Sequence, residues 1–249
     1  MTADGWTRTV RHQLALGRLL PLGGPHDAAW IAERAAEAVL RRAAQDVPGV
    51  RLGALRVALA DPENGQAPVV PPPPSALPPG PLRVSADLAA TAVEPLPTTA
   101  ARLRGTLAAA AAEALGLTVT DIDLRVTALL DEAAEPVPVP VRPPQPPTAE
   151  EAAADAGATA ADADETRVAA VVLAVPGVMR LTGALGGLGR AVHIEERQQE
   201  NALPRRHVRV EVAVRTDHRA LDVTREIRTA VAEALTDHPT VAVLVTTVG

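Results

Sequence analysis

Residues 207–215 alternate strictly, with Val208, Val210, Val212 and Val214 on one parity and His207, Arg209, Glu211 and Arg215 on the other. A period of two predicts a strand with one dry and one wet face. Residues 221–235 change period: Val223, Ile227, Ala230, Val231, Ala234 and Leu235 form one stripe on a helix, and Asp222, Arg225, Glu226, Arg228, Thr229 and Glu233 fill the opposite side. A closing strand carries Val241, Val243 and Val245. The same succession occurs earlier in the chain. Leu82, Val84, Ala86 and Leu88 correspond to Val208, Val210, Val212 and Val214, and Ile122, Leu124 and Val126 correspond to Val241, Val243 and Val245. Between them Leu103, Leu107, Ala110, Ala111, Ala114 and Leu115 match the later helical stripe at one constant offset.

Upstream of each strand pair an Ala-rich helical stretch ends in Val-Pro-Gly-Val, at Val47–Val50 and again at Val175–Val178. Gly49 and Gly177 are therefore structural candidates at matching turns. A short strand follows each, marked by Val57 and Leu59 in one copy and Val192 and Ile194 in the other. Five matches in the same order predict an α+β protein of two tandem copies of a small two-layer module, helix–strand–strand–helix–strand. Each copy is expected to hold a three- to four-stranded mixed sheet covered by helices on one face. The expected boundaries are 1–132 for the first module, 133–165 for a linker and 166–249 for the second module.

Proline and charge refine this picture. Residues 134–148 are dense in proline and predict an extended spacer, and 149–165 are almost wholly Ala, Asp and Glu. A second proline run lies within residues 62–81 of the first module and predicts a long surface loop. The net charge is −6, but residues 131–166 hold nine acidic groups against one arginine. The remainder is close to neutral, which argues against a basic nucleic-acid surface. All 24 basic residues are arginine, Phe and Tyr are absent, and Trp6 and Trp30 are the only aromatic residues. The cores must then be Val, Leu and Ala, with Trp30, expected to enter the first helix beside Ile31, as the largest anchor.

Little reactive chemistry emerges. Cysteine is absent, excluding disulfides and thiolate sites. Ser75 and Ser85 are the only serines, and neither stands in the G-x-S-x-G turn that a serine nucleophile needs. The cluster Gly183, Gly186, Gly187 and Gly189 lacks phosphate-loop spacing and reads as a connection between strands. His193 and His207, with Glu195 and Glu211, should share the outer face of adjacent strands. They are the weak candidates for a metal, since no spacing fixes a third ligand and a solvated polar face explains them better. Asp121 and Asp123 share a face with Arg83 and Arg125 and read as surface ion pairs. Arg205, Arg206, Arg209, Arg215 and Arg219 suggest a local positive patch, offset by nine acidic residues among nine arginines over 190–249. No cofactor is implied. No apolar run is long enough to span a membrane, and the first residues lack the apolar core of an export signal, so a cytoplasmic location is expected.

The chain resembles the alkaline shock protein family of bacterial envelope stress-response proteins. In the first half the likeness rests on Gly17–Leu22 as an opening strand, the helix from Ile31 to Val47, and Val-x-Gly-Val at 47–50. In the second it rests on Gly177-Val178, Leu181-x-Gly183, Ala191–Glu195, the Val208–Val214 strand, the 221–235 helix and the Val241–Val248 strand. The second copy lacks the opening strand. The resemblance implies a non-enzymatic protein that gathers at the inner face of the envelope through protein partners, one of them membrane-anchored, and through self-association into a homo-oligomer. It supplies no catalytic residues. A phospholipid- or envelope-binding module and a nucleic-acid-binding protein are the alternatives.

Overall fold

The computed structural model describes residues 17–131, 160–184, 190–199 and 202–249. The fold is a mixed α+β arrangement of two sheets. A hairpin of β1 (Leu19–Leu22) and β2 (Ala29–Ala32) leads into helix α1 (Glu33–Gln45). Strands β3 (Val50–Leu59) and β4 (Leu82–Thr91) follow, then α2 (Leu96–Ala109) and β5 (Val119–Leu130). The second half runs α3 (Ala160–Ala174), β6 (Val178–Leu181), β7 (Val192–Gln199), β8 (Ala202–Val214), α4 (Ala220–Ala234) and β9 (Thr240–Val248). The proline- and acid-rich stretch expected as a spacer lies outside the described residues up to 159, and its last residues belong to α3.

The sheets have the order β3-β4-β5 and β1-β2-β9-β8-β6, with β7 also on β8. In each half the central strand lies antiparallel to the strand before it and parallel to the one after it, and a helix carries the parallel crossover. The helical stripe read from the sequence is the buried one in both halves. Leu103, Leu107, Ala111 and Leu115 are buried, as are Val223, Ile227, Val231 and Leu235. The two parallel ladders also share one irregularity. The register slips between Leu88 and Ala89 opposite β5 and between Val212 and Ala213 opposite β9. At each slip a threonine hydroxyl donates to the neighbouring carbonyl, Thr127 to Leu88 at 3.3 Å and Thr246 to Val212 at 3.2 Å.

Three sequence expectations need correction. Gly49 O accepts from Thr91 N, and Gly177 O accepts from Arg215 N. These bonds align Ala90 with Val214 and Val84 with Val208, so the strand match read from sequence is displaced by two residues. A shift of two leaves every side chain on its face, which is why hydrophobicity alone cannot detect it. Trp30 does not enter a helix: it lies in β2, and α1 begins only at Glu33. The stretch around it is rich in Ala, so its helical pattern is strong, but parallel pairing of Ala29, Trp30 and Ile31 with Val243, Leu244 and Val245 overrides it. Finally, the outer side of β8 is not wet. His207 and Glu211 are buried, at 4% and 1% exposure.

The proline loop covers another part of the same sheet. Largely exposed over residues 61–69, as a surface loop should be, it lies from Val70 onward against the long sheet. Leu19 N donates to Ser75 O, Leu77 N donates to Leu19 O, and the Trp30 indole N–H donates to Leu77 O at 3.3 Å. Val70 within the loop is buried in the same apolar cluster as Trp30 and Leu244. A loop rooted between β3 and β4 of the first half thus covers the sheet built around β8 and β9 of the second.

Candidate functional site

Buried polar groups on the long sheet are tied into the fold. The Glu211 carboxylate accepts from Ala184 N at 2.6 Å, in the turn that leaves β6. His207 Nδ1 lies 2.9 Å from Thr240 Oγ1 on the adjacent strand. His193 pairs with Arg209 across the ladder and is exposed, whereas His207 pairs with Glu195. The two histidines are therefore diagonal neighbours, one in water and one in the core. Among the described residues no group of three or more His, Asp and Glu could hold a metal ion. The Gly-rich connection does lie between two strands, with 185–189 outside the described residues. Glu211 and His207 are the polar residues whose places sequence reasoning missed, because strict alternation put them on a solvent face; the turn after β6 and the neighbouring strand that meet them leave no period in β8 itself.

A second polar cluster joins the two halves. Arg225 donates to both Asp27 carboxylate oxygens at 2.8 and 3.3 Å, and Gly24 N donates to the same group at 2.7 Å. Arg228 donates to His26 O at 2.8 Å, and Arg219 donates to Ala112 O at 3.0 Å. Burial pushes the Asp27 carboxyl up, but the bonds from Arg225 and Gly24 and the nearby positive charge outweigh it, leaving the group below the usual carboxylate range. Glu33, bonded to Arg18 at 2.9 Å, is lowered against its own burial in the same way. Both carboxylates bind protons less readily when folded, so their stabilisation is present above about pH 4 and is lost as pH falls through the folded values. Thermal melts taken from neutral to acid pH should show this loss, and Asp27→Asn should shrink it. An acid response equal to wild type would refute the assignment.

The expected positive patch on the second half is largely neutralised. Arg206 pairs with Asp164 and Asp237 at 2.7 and 3.4 Å, Arg215 with Asp217 at 2.8 Å, and Arg219 with Asp222 at 3.5 Å. Gly49 and Gly177 both occupy the left-handed region, with φ of 70° and 87°. They close the turns after the Ala-rich helices, Gly49 against the Thr91 side chain and Gly177 against His218 and Val223.

The three-stranded sheet presents a different surface. In β4 alternate residues are buried and exposed, with Leu82, Val84, Ala86, Leu88 and Ala90 inward. Its outer face carries Arg83, 3.9 Å from Asp121 and 3.7 Å from Asp123, and Arg125, 3.3 Å from Asp87. These are the surface ion pairs expected from sequence. A shallow groove of about 300 Å³ runs between them, lined by Arg56, Ser85, Asp87, Asp123 and Arg125. Ser85 meets no histidine there, only alternating charge. Beyond this face the β5 strand pairs, among the described residues, with β4 alone. Val126 is 38% exposed and Leu129 63% exposed along it. The arrangement can recognise a strand of complementary charge; it does not assemble a nucleophile, a base and an oxyanion donor.

Among the described residues no helix is long and apolar enough to cross a membrane. No family model matches the chain, and no curated protein matches it. Solved structures similar to part of it are those of the MamM CTD. One variant is 16% identical, covering 38% of this chain and 92% of its own, with a TM-score of 0.25. A nickel form is 14% identical, covering 38% of this chain and 96% of its own, also at 0.25. A zinc form is 14% identical over 38% of this chain and 84% of its own, at the same score.

Proposed function

We propose that this chain is a docking protein without catalytic activity, acting through protein–protein contacts and self-association. The carrying observation is the long edge of β5, which lacks a neighbouring strand among the described residues and carries exposed apolar side chains. An unpaired edge offers a row of N–H and C=O groups to another chain, and folded proteins commonly cover or blunt such edges. Support comes also from the polar clusters: His207, Glu211, Asp27 and Glu33 are each held in hydrogen bonds internal to the fold. With the alkaline shock resemblance, these features favour a scaffold-type role in envelope stress, at the inner face of the cell envelope and with a membrane-anchored partner. Sedimentation velocity over a wide concentration range should show reversible self-association, and crosslinking in the native cell should join the chain to a partner at the envelope. A chain that stays monomeric throughout and crosslinks to no partner would overturn the proposal.

A further inference from the structure

Building on that docking role, we infer that the β5 edge binds a second copy of this chain, antiparallel, with Leu124 on the two-fold axis.

The other strand edges are blunted. That of β1 is covered by the proline loop through Ser75 and Leu77. β3 is bulged between Leu52 and Leu55, and its Gly53 carbonyl is taken by Arg41 at 2.8 Å. The edge opposite β9 is split between β6 and β7. Among the described residues β5 is the longest edge strand, 12 residues free of Pro and Gly, and its two register slips, at Thr120 and Thr127, leave Asp121–Val126 regular between them.

The register follows from backbone parity and charge. Arg104 donates to Ile122 O at 3.2 Å from α2, so the polar backbone groups of Ile122 point away from β4. Those of Leu124, two residues on, point the same way. In an antiparallel pair, residues whose N–H and C=O both face the partner form the closely hydrogen-bonded positions. Leu124 can therefore meet Leu124 of the partner subunit, while Ile122 meets the partner's Val126. Asp123 then lies opposite the partner's Arg125, and Arg125 opposite the partner's Asp123. Opposite charges facing across a ladder stabilise it, and like charges destabilise it. Centring the axis on Ile122 instead would set Asp121 against the partner's Asp123, and centring it on Val126 would leave these charges unmatched. Ile122, Leu124 and Val126 also continue the apolar face of Val84, Ala86 and Leu88, so pairing extends the dry side of the sheet. Arg104 must release Ile122 O on association, which its exposed position allows.

The full chain contains no cysteine, so single-cysteine variants report this geometry without background. Under mild oxidation Leu124→Cys should give a covalent dimer, because its two copies fall within the Cα separation that a disulfide bridges. Ile122→Cys and Val126→Cys should give little, since each faces a different residue. Independently, Asp123→Arg or Arg125→Asp should weaken dimerisation by about tenfold in sedimentation equilibrium, and the double exchange should restore part of it. If Leu124→Cys fails to fold, judged by its thermal melt, the charge exchange decides. Equal crosslinking at 122, 124 and 126, or single exchanges without effect on a dimer, would overturn this interface and leave the docking role standing. A monomer that still captures a partner at the envelope would do the same, and a monomer with no partner would end both.

Discussion

Trp30→Ala should destabilise the protein by about 3–5 kcal/mol, near the top of the range for large-to-small core replacements. The ring is 1% exposed and belongs to the central part of the long sheet, opposite Leu244 on β9. Its indole N–H holds Leu77 O of the proline loop. Truncation removes the largest side chain of a core otherwise made of Leu, Ile, Val and Ala, and it releases the loop that covers the sheet. At about 2–4 °C per kcal/mol for a chain of this size, the melting temperature should fall by roughly 10 °C. Trp30→Phe, which keeps an aromatic ring but loses the N–H and part of the volume, should fall by less. An unchanged melt for the alanine variant would mean that the ring is not packed as described.

Gly116→Ala should be the most damaging small substitution. Gly116 has φ of 86° and closes a wide helical turn, Ala110–Leu115, that extends α2. Its N–H and that of Leu117 both donate to Ala111 O, at 3.0 and 2.9 Å. A Cβ there would lie 2.4 Å from Leu221 Cβ, at the start of α4 in the other half. The left-handed backbone costs about 1–3 kcal/mol for a non-glycine residue, and overpacking adds about 1–3 kcal/mol. Neither atom can yield cheaply, since Leu221 is itself buried. Denaturant unfolding should show the loss. Gly105→Ala, on a helix surface with nothing within 4 Å, should be neutral or slightly stabilising and serves as the control.

Much of this architecture was legible in the sequence because local periods carried it. The α2 and α4 stripes and the alternation in β4 and β8 each fall within one element, where spacing alone sets the face. That Asp121 and Asp123 share one face of β5 was readable for the same reason. What escaped lies between elements. Nothing in Ala29–Ala32 announces that β9, far along the chain, will turn it into a strand. Nothing in Glu211 announces that a turn after β6 will meet its carboxylate, nor in His207 that Thr240 of β9 will lie beside its ring. The open edge at β5 was equally hidden, because an edge is defined by which strand is missing beside it.

The pairing of β2 with β9 has a consequence for biosynthesis. Arg228 binds His26 across 202 positions of sequence, and β9 completes the sheet that the early hairpin must join. While the ribosome is still extending the chain, the β1–β2 hairpin lacks its neighbour β9, and its apolar side chains stay only partly covered until that strand emerges. Distant pairings of this kind slow folding and lengthen the interval in which a nascent chain is open to aggregation. Chaperone occupancy of that early hairpin would therefore be expected to persist until β9 has been synthesised.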